Sequence, residues 1–237
     1  MTWSIIARDP ASGAFGVAIA TRFFAVGALC PHAASGIGAI STQALVNPHY
    51  GRQGLDLLRA GVAAPEVVKR LTAPDEGREH RQLHVIDTAG RIGQFTGKQC
   101  IDWAGAVAGE SFSVAGNMLA GPRVVSETAN AFQNTKKSFA ERLIAALQAG
   151  EAAGGDKRGK QSAALLVYSQ EEYADLNLRV DDHAEPLAEL QRLYEKAHER
   201  FIPYLTCSPS KARPAGIFDR QEIEKRIAEH AKKSRAS

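Results

Sequence analysis

Strand signals begin at the second residue and then cluster instead of alternating with helices, and this ordering most restricts the fold. Thr2-Trp3-Ser4-Ile5-Ile6-Ala7, the turn Asp9-Pro10-Ala11-Ser12-Gly13 and Phe15-Gly16-Val17-Ala18-Ile19-Ala20 read as strand, tight turn, strand. A third strand is expected over residues 36–43. Pro48 opens a helix over 48–58, ended by Gly61, and a short helix covers 65–71. Residues 81–87 and 92–96 predict a hairpin around Thr88-Ala89-Gly90, and 111–115 another strand. Helices over about 122–134 and along Phe139, Leu143, Ile144 and Leu147 follow. Strands over 162–168 and 176–180 come next. Leu187, Leu190, Leu193, Tyr194, Ala197 and Phe201 then trace an amphipathic helix. A doubly wound parallel sheet would alternate its elements. The chain is therefore read as α+β: mixed or antiparallel sheets with helices grouped on their outer faces.

After Pro203 the texture changes. Ser208-Pro209-Ser210 and Pro214-Ala215-Gly216 form a linker, and Asp219 with Glu222 resembles a capping box for a charged helix to about residue 232. The expected organisation is a domain over 1–202 and a linker plus C-terminal helix over 203–237. Residues 211–237 hold eight Lys/Arg, Arg235 among them, against four Asp/Glu, a net of +4 in a chain of net +3. The body is thus near neutral, whereas a nucleic-acid binder carries a basic face on its folded part. No nucleic-acid partner is expected. No apolar run approaches the ~18 residues of a membrane span, and no secretory signal is visible, so no membrane association is expected. Three scattered cysteines, Cys30, Cys100 and Cys207, fit neither a disulfide framework nor a zinc ribbon. A reducing cytoplasm is the expected setting.

Thr2 is the first chemical candidate. A small second residue permits removal of Met1, leaving a hydroxyl nucleophile and a free α-amine of pKa ~8 on one residue. A buried first strand would hold both in fixed geometry. Other motifs are weaker. Gly154-Gly155-Asp156-Lys157-Arg158-Gly159-Lys160-Gln161-Ser162 has Gln161 where a phosphate loop needs Ser or Thr, and it precedes a strand. Asp181-Asp182-His183 is the one dense group of metal-ligand types, too few for a closed site alone; a polar strand end before Pro186 explains it more simply. The adjacency of Cys30 and His32 makes a poor dyad, and Cys100 near Trp103 reads as packing. Asn117, in Gly116-Asn117-Met118-Leu119-Ala120-Gly121-Pro122, is either an oxyanion donor or an ordinary turn residue.

Taken in order, several segments resemble one family: Thr2-Trp3-Ser4-Ile5-Ile6-Ala7-Arg8-Asp9, Phe24-Ala25-Val26-Gly27, and Thr42-Gln43-Ala44 with Asn47 and Tyr50-Gly51. Trp103-Ala104-Gly105, Gly116-Asn117-Met118-Leu119-Ala120-Gly121, the 153–165 segment and Leu178-Arg179-Val180-Asp181-Asp182-His183 continue the series. The set is similar to the uncharacterised bacterial family DUF1028 over roughly residues 2–202, whose members look like N-terminal nucleophile (Ntn) hydrolases. The resemblance implies a four-layer αββα sandwich and amide-bond hydrolysis by the first residue. Proteasome-type members place an acid at the end of the second strand and a lysine on the third; here Ala20-Thr21-Arg22 and residues 37–42 offer neither.

The expected activity is hydrolysis of a small amide, peptide or cyclic amide, with Thr2 as nucleophile, Arg22 as electrostatic partner and Asn117 helping at the oxyanion. Thr42, Gln43, Asn47, Asp156, Arg158, Gln161 and Asp182 are expected to supply polar groups to the pocket. A rival places water in the role of Thr2, activated by Asp156, Asp182 or His183. A second rival is a non-catalytic binding or assembly protein. No cofactor is expected; a metal at Asp181, Asp182 and His183 is left open. The partners expected are a small-molecule or peptide substrate and further copies of the chain.

Overall fold

The computed structural model describes residues 2–234. Met1, whose removal the Thr2 chemistry requires, and Arg235 of the basic tail lie outside the described residues. In chain order the elements are β1 (Thr2–Arg8), β2 (Phe15–Thr21), β3 (Pro31–Ala34), β4 (Gly38–Ala44), α1 (His49–Arg59) and α2 (Ala64–Thr72). Then come β5 (Arg81–Asp87), β6 (Ile92–Thr96), β7 (Gly105–Gly109), β8 (Phe112–Asn117), α3 (Arg123–Asn134) and α4 (Phe139–Ala152). The chain ends with β9 (Ser162–Tyr168), β10 (Leu176–Val180), α5 (Pro186–Glu199), α6 (Phe201–Leu205) and α7 (Arg220–Ser234). The fold is α+β, with two antiparallel sheets of order β10-β9-β2-β1-β8-β7 and β3-β4-β5-β6. No helix among the described residues is long and apolar enough to cross a membrane.

The chain divides into two compact units, residues 1–190 and 191–237. The boundary between these units falls inside α5. In the second unit α6 contacts α7. Phe201 leaves the expected stripe: Arg200 departs from helical backbone at φ −146°, so α5 stops at Glu199 and Phe201 starts a new turn, exposed. At α7 the Asp219 carboxylate accepts the Gln221 N–H at 2.8 Å, but Glu222 turns to Arg226 at 2.8 Å.

In the first unit β1 and β2 pack against β4, and β8 against β5, so the two sheets meet face to face. Helices α3 and α4 pack on the first sheet, α1 and α2 on the second. Alternation along each strand sets what lies between the sheets. On β1, Ile6 joins Phe15, Val17, Ala39 and Ile86 in one apolar cluster between the sheets, so Thr2 and Ser4 face the same way. Trp3 faces α4, where a Cβ on Gly150 would stand 2.6 Å from the indole nitrogen; only glycine lets that helix approach. Gly51 does the same for α1, pressed on His32 of β3.

Two strands escape the sequence reading. β3 is four residues long and begins with proline, and β7 is Gly-Ala-Val-Ala-Gly, short of the large β-formers by which strands are recognised.

Candidate functional site

The face between the sheets changes character along its length. At one end it is the apolar cluster; at the other, Thr2 and Ser4 (β1), Ser41 and Gln43 (β4), Gln82 and His84 (β5), and Ser113 and Asn117 (β8) are all buried. Buried polar groups persist only when hydrogen-bonded, and these bond one another. Thr2 lies opposite Thr21 on β2 and opposite Asn117 on β8. Its hydroxyl donates to Thr21 Oγ1 at 3.1 Å. Its carbonyl accepts from Asn117 Nδ2 at 3.4 Å and Gln43 Nε2 at 3.5 Å. The residue is 6% exposed. The beginning of β1 is therefore clamped from both neighbouring strands and from the facing sheet.

Gln82 fixes the directions in this network. Its Nε2 donates to the carbonyls of Gly116 (2.8 Å) and Gly105 (3.2 Å), which only accept, so its Oε1 must face the other way. There it accepts from Gln43 Nε2 at 2.7 Å and Asn117 Nδ2 at 3.0 Å. Gln43 is thereby oriented, and its Oε1 accepts the Ser4 hydroxyl at 2.7 Å. The Ser4 hydrogen being committed, His84 Nε2, 2.9 Å from Ser4 Oγ, is the donor. His84 Nδ1 then accepts from Ser113 Oγ at 2.9 Å, and Ser113 Oγ accepts from Gln94 Nε2 at 2.8 Å. His84 is thus a neutral imidazole with one defined tautomer, and burial lowers its pKa to about 3. The pair Ser4–His84 is no nucleophile and base, since the Ser4 proton points away from the ring.

Gln82→Ala leaves the Gln43 and Asn117 amides and two backbone carbonyls short of partners. The expected cost is about 3 kcal/mol, read as a lower urea midpoint at unchanged slope. An unchanged midpoint would show that Gln82 does not organise the cluster.

One cavity is lined by Thr2 and a second adjoins it at Ala44. The first, of about 90 Å³, is lined by Thr2, Gln43, Ala44, Arg158 and the apolar side chains of Phe23, Val26, Leu29, Cys30 and Val46. The other, of about 270 Å³, is lined by Ala44, Leu45, His80, Gln99, Cys100, Ile101, Asn117 and Met118. Ala44 belongs to both walls. Ala44 and Met118 hold left-handed backbone, φ +70° and +59°, where a non-glycine residue is uncommon and such strain collects at functional sites. The β4 exit is braced by Tyr50, whose hydroxyl donates to Asp75 at 2.5 Å, and by Arg81, which donates to Asp75 at 3.1 Å and to the Leu45 carbonyl. The Tyr50 bond, ahead of the Arg81 charge, holds the Asp75 carboxyl at about 2. Burial raises the pKa of both Cys30, to about 12, and Cys100, so neither thiol presents a thiolate near neutrality.

Of the residues expected in the pocket, Thr2, Gln43, Asn117 and Arg158 come together. Asp156 lies behind Arg158, accepting its backbone N–H at 2.8 Å and its guanidinium at 3.2 and 3.4 Å, together with the Arg22 N–H at 2.9 Å. The Arg22 side chain is placed elsewhere. Thr21 faces Thr2, so alternation turns its neighbour away, and the exposed Arg22 guanidinium donates to the Lys160 carbonyl at 3.3 Å. Thr42 donates to the Asn47 carbonyl at 3.2 Å, and the Asn47 side chain accepts the His49 N–H at 3.2 Å; both brace the β4–α1 turn. Gln161 donates to Asp182 at 3.1 Å, Asp181 pairs with Arg179 at 2.8 Å, and His183 Nδ1 accepts the Glu185 N–H at 2.9 Å. The three metal candidates therefore turn to three different partners. Among the described residues no group of three or more His, Cys, Asp or Glu is placed to hold a metal ion.

Thr21, Gln82 and His84 escaped the sequence reading. The available signal was alternation: Gln82 and His84 interleave with Leu83 and Val85, placing two polar side chains on one face of a strand whose other face is apolar.

Protein SPO2555 from Silicibacter pomeroyi, whose crystal structure is assigned to DUF1028, is 34% identical, with 92% of this chain and 96% of that one covered and a TM-score of 0.86. Anbu (ancestral beta-subunit) from Yersinia bercovieri aligns at 11% identity over 88% of this chain and 98% of its own, with a TM-score of 0.40. No curated protein matches the sequence. The family described as "Family of unknown function (DUF1028)" matches residues 2–190, the compact first unit. The chain belongs to the DUF1028 family.

Proposed function

We propose that the protein is an amide hydrolase of the N-terminal nucleophile type, with its two sheets and two helix pairs forming the αββα sandwich of that class. The observation that carries the reading is Thr2 itself, a residue that lines a cavity while its hydroxyl bonds Thr21 and its carbonyl is held by Asn117 and Gln43. Once Met1 is removed, the Thr2 hydroxyl turns its hydrogen from Thr21 to the freed α-amine, which takes the proton, and Oγ1 attacks the substrate carbonyl carbon. The carbonyl electrons move onto oxygen. As they return, the C–N bond breaks and the amine's proton passes to the leaving nitrogen. Water then cleaves the ester left on Thr2. Thr21 holds the Oγ1 rotamer, while Gln43 and Asn117 hold the backbone.

Arg158 supplies the developing negative charge with donors. Two of its five N–H groups bond Asp156, and the side chain lines the Thr2 cavity. It takes the electrostatic role that the sequence offered to Arg22. The rival with an activated water has less support, because Asp156, Asp182 and His183 each hold a structural partner.

The test is intact-mass analysis of active protein, followed by hydroxylamine trapping during turnover of an activated amide. The expected result is a chain beginning at Thr2 and, with hydroxylamine present, release of the acyl group as a hydroxamate in place of part of the free acid. Activity in protein retaining Met1 overturns the mechanism. Processed protein that binds amides but turns none over supports the binding-protein alternative instead.

A further inference from the structure

The two cavities differ in a way that specifies what the site accepts. Thr2 stands between β2 and β8. The small cavity opens on the β2 side, at Phe23, Val26 and Leu29, and the large one on the β8 side, at Asn117 and Met118. They share the Ala44 wall, and Asn117 of the large cavity donates to the Thr2 carbonyl. A carbonyl carbon held at Thr2 has two substituents; Thr2 lines the small cavity, and the large one, which Thr2 does not line, adjoins it at Ala44 and reaches Thr2 through Asn117.

The walls state their chemistry. Large apolar side chains are unusually exposed here: Phe23 57%, Leu29 36%, Leu45 62% and Ile101 59%. The first two line the small cavity, the others the large one. Scattered singly they would need no explanation, but gathered at two mouths they mark a surface that something apolar covers. The polar groups interspersed are Arg158 and Gln43 on one side, and His80, Gln99 and Asn117 on the other. Neither wall contains an Asp or Glu, and Arg158 lines the smaller, so a cationic substituent there would meet a like charge.

We propose that the 270 Å³ cavity is the second subsite of the Thr2 centre, and that the substrate is a short amide with an uncharged apolar group on each side of its C–N bond. The larger group lies against Leu45, Ile101 and Met118; the smaller lies against Phe23 and Leu29. This assignment rests on the hydrolase reading above. It separates substrates by shape and charge: primary amides fill one subsite only, and amides with a basic arm are refused.

The experiment measures binding, not turnover, on full-length Thr2→Ala protein by chemical-shift titration. The probes are N-isobutylisovaleramide (two apolar arms), isovaleramide and N-isobutylacetamide (one arm each), and an isovaleramide whose nitrogen carries a guanidinopropyl arm. The two-armed probe is expected to bind at least ~10-fold tighter than either one-armed probe, with the guanidino probe no better than isovaleramide. Ile101→Asp and Phe23→Asp, both at exposed positions, should each reduce the two-armed probe to one-armed affinity. If Ile101→Asp leaves that affinity unchanged, or no probe shifts any resonance, the two-subsite proposal is overturned. Failure of the hydrolase reading shows itself separately, as unchanged amide turnover by Thr2→Ala with probe binding intact.

Discussion

Thr2→Ala is expected to lower amide turnover by at least ~10³-fold while the protein stays folded. The hydroxyl makes one hydrogen bond, to Thr21 Oγ1, so its deletion costs stability only about 1 kcal/mol. The clamp on the Thr2 carbonyl survives, because Gln43 and Asn117 bond the backbone. Thr2→Ser keeps the nucleophile and should keep a measurable fraction of the rate. An extension that blocks Met1 removal should abolish turnover as completely as alanine does, because the base is the α-amine itself. For the same reason kcat/KM should rise with pH through ~8, as the amine loses its proton. Wild-type turnover in the alanine variant would remove Thr2 from the chemistry.

The second large effect concerns stability. His84 titrates near 6.5 in the unfolded chain but near 3 when folded, because burial disfavours the imidazolium. Between those values the unfolded chain binds the extra proton, so the stabilisation is complete above pH 6.5 and is lost as pH falls towards 3. The slope is about 1.4 kcal/mol per pH unit. His84→Gln can still donate to Ser4 and accept from Ser113, yet it cannot titrate. Its urea midpoints between pH 6.5 and 4 should therefore fall less steeply than those of the wild type. Parallel curves would mean that protonated His84 is accommodated in the fold.

Both effects originate in one strip of polar side chains between the sheets, and only part of that strip was legible in the sequence. Thr2 and Asn117 stood out because each sits at a strand end beside recognisable punctuation. Gln43 was visible through a motif. Gln82 and His84 were not, because a glutamine and a histidine inside a hairpin strand usually face solvent. What buries them is β1 and β8 crossing over β5, and nothing local to residues 81–87 announces that crossing. Arg22 shows the converse. Its position after β2 is close to Thr2 in register, but one residue of alternation sends its side chain to the other side, and Arg158 arrives from a loop 156 residues after Thr2 in the chain.

Local chemistry alone determined the α+β class, the initial hairpin, most helix positions and the threonine at the head of a buried strand, since turn residues, periodicity and capping act over a few positions. Tertiary structure decided which face of each strand is covered, and therefore which polar side chains meet Thr2. It also decided where the two cavities open and which arginine lines the smaller one. Those outcomes depend on register between strands distant in sequence, where a shift of one residue exchanges every inward side chain for its neighbour.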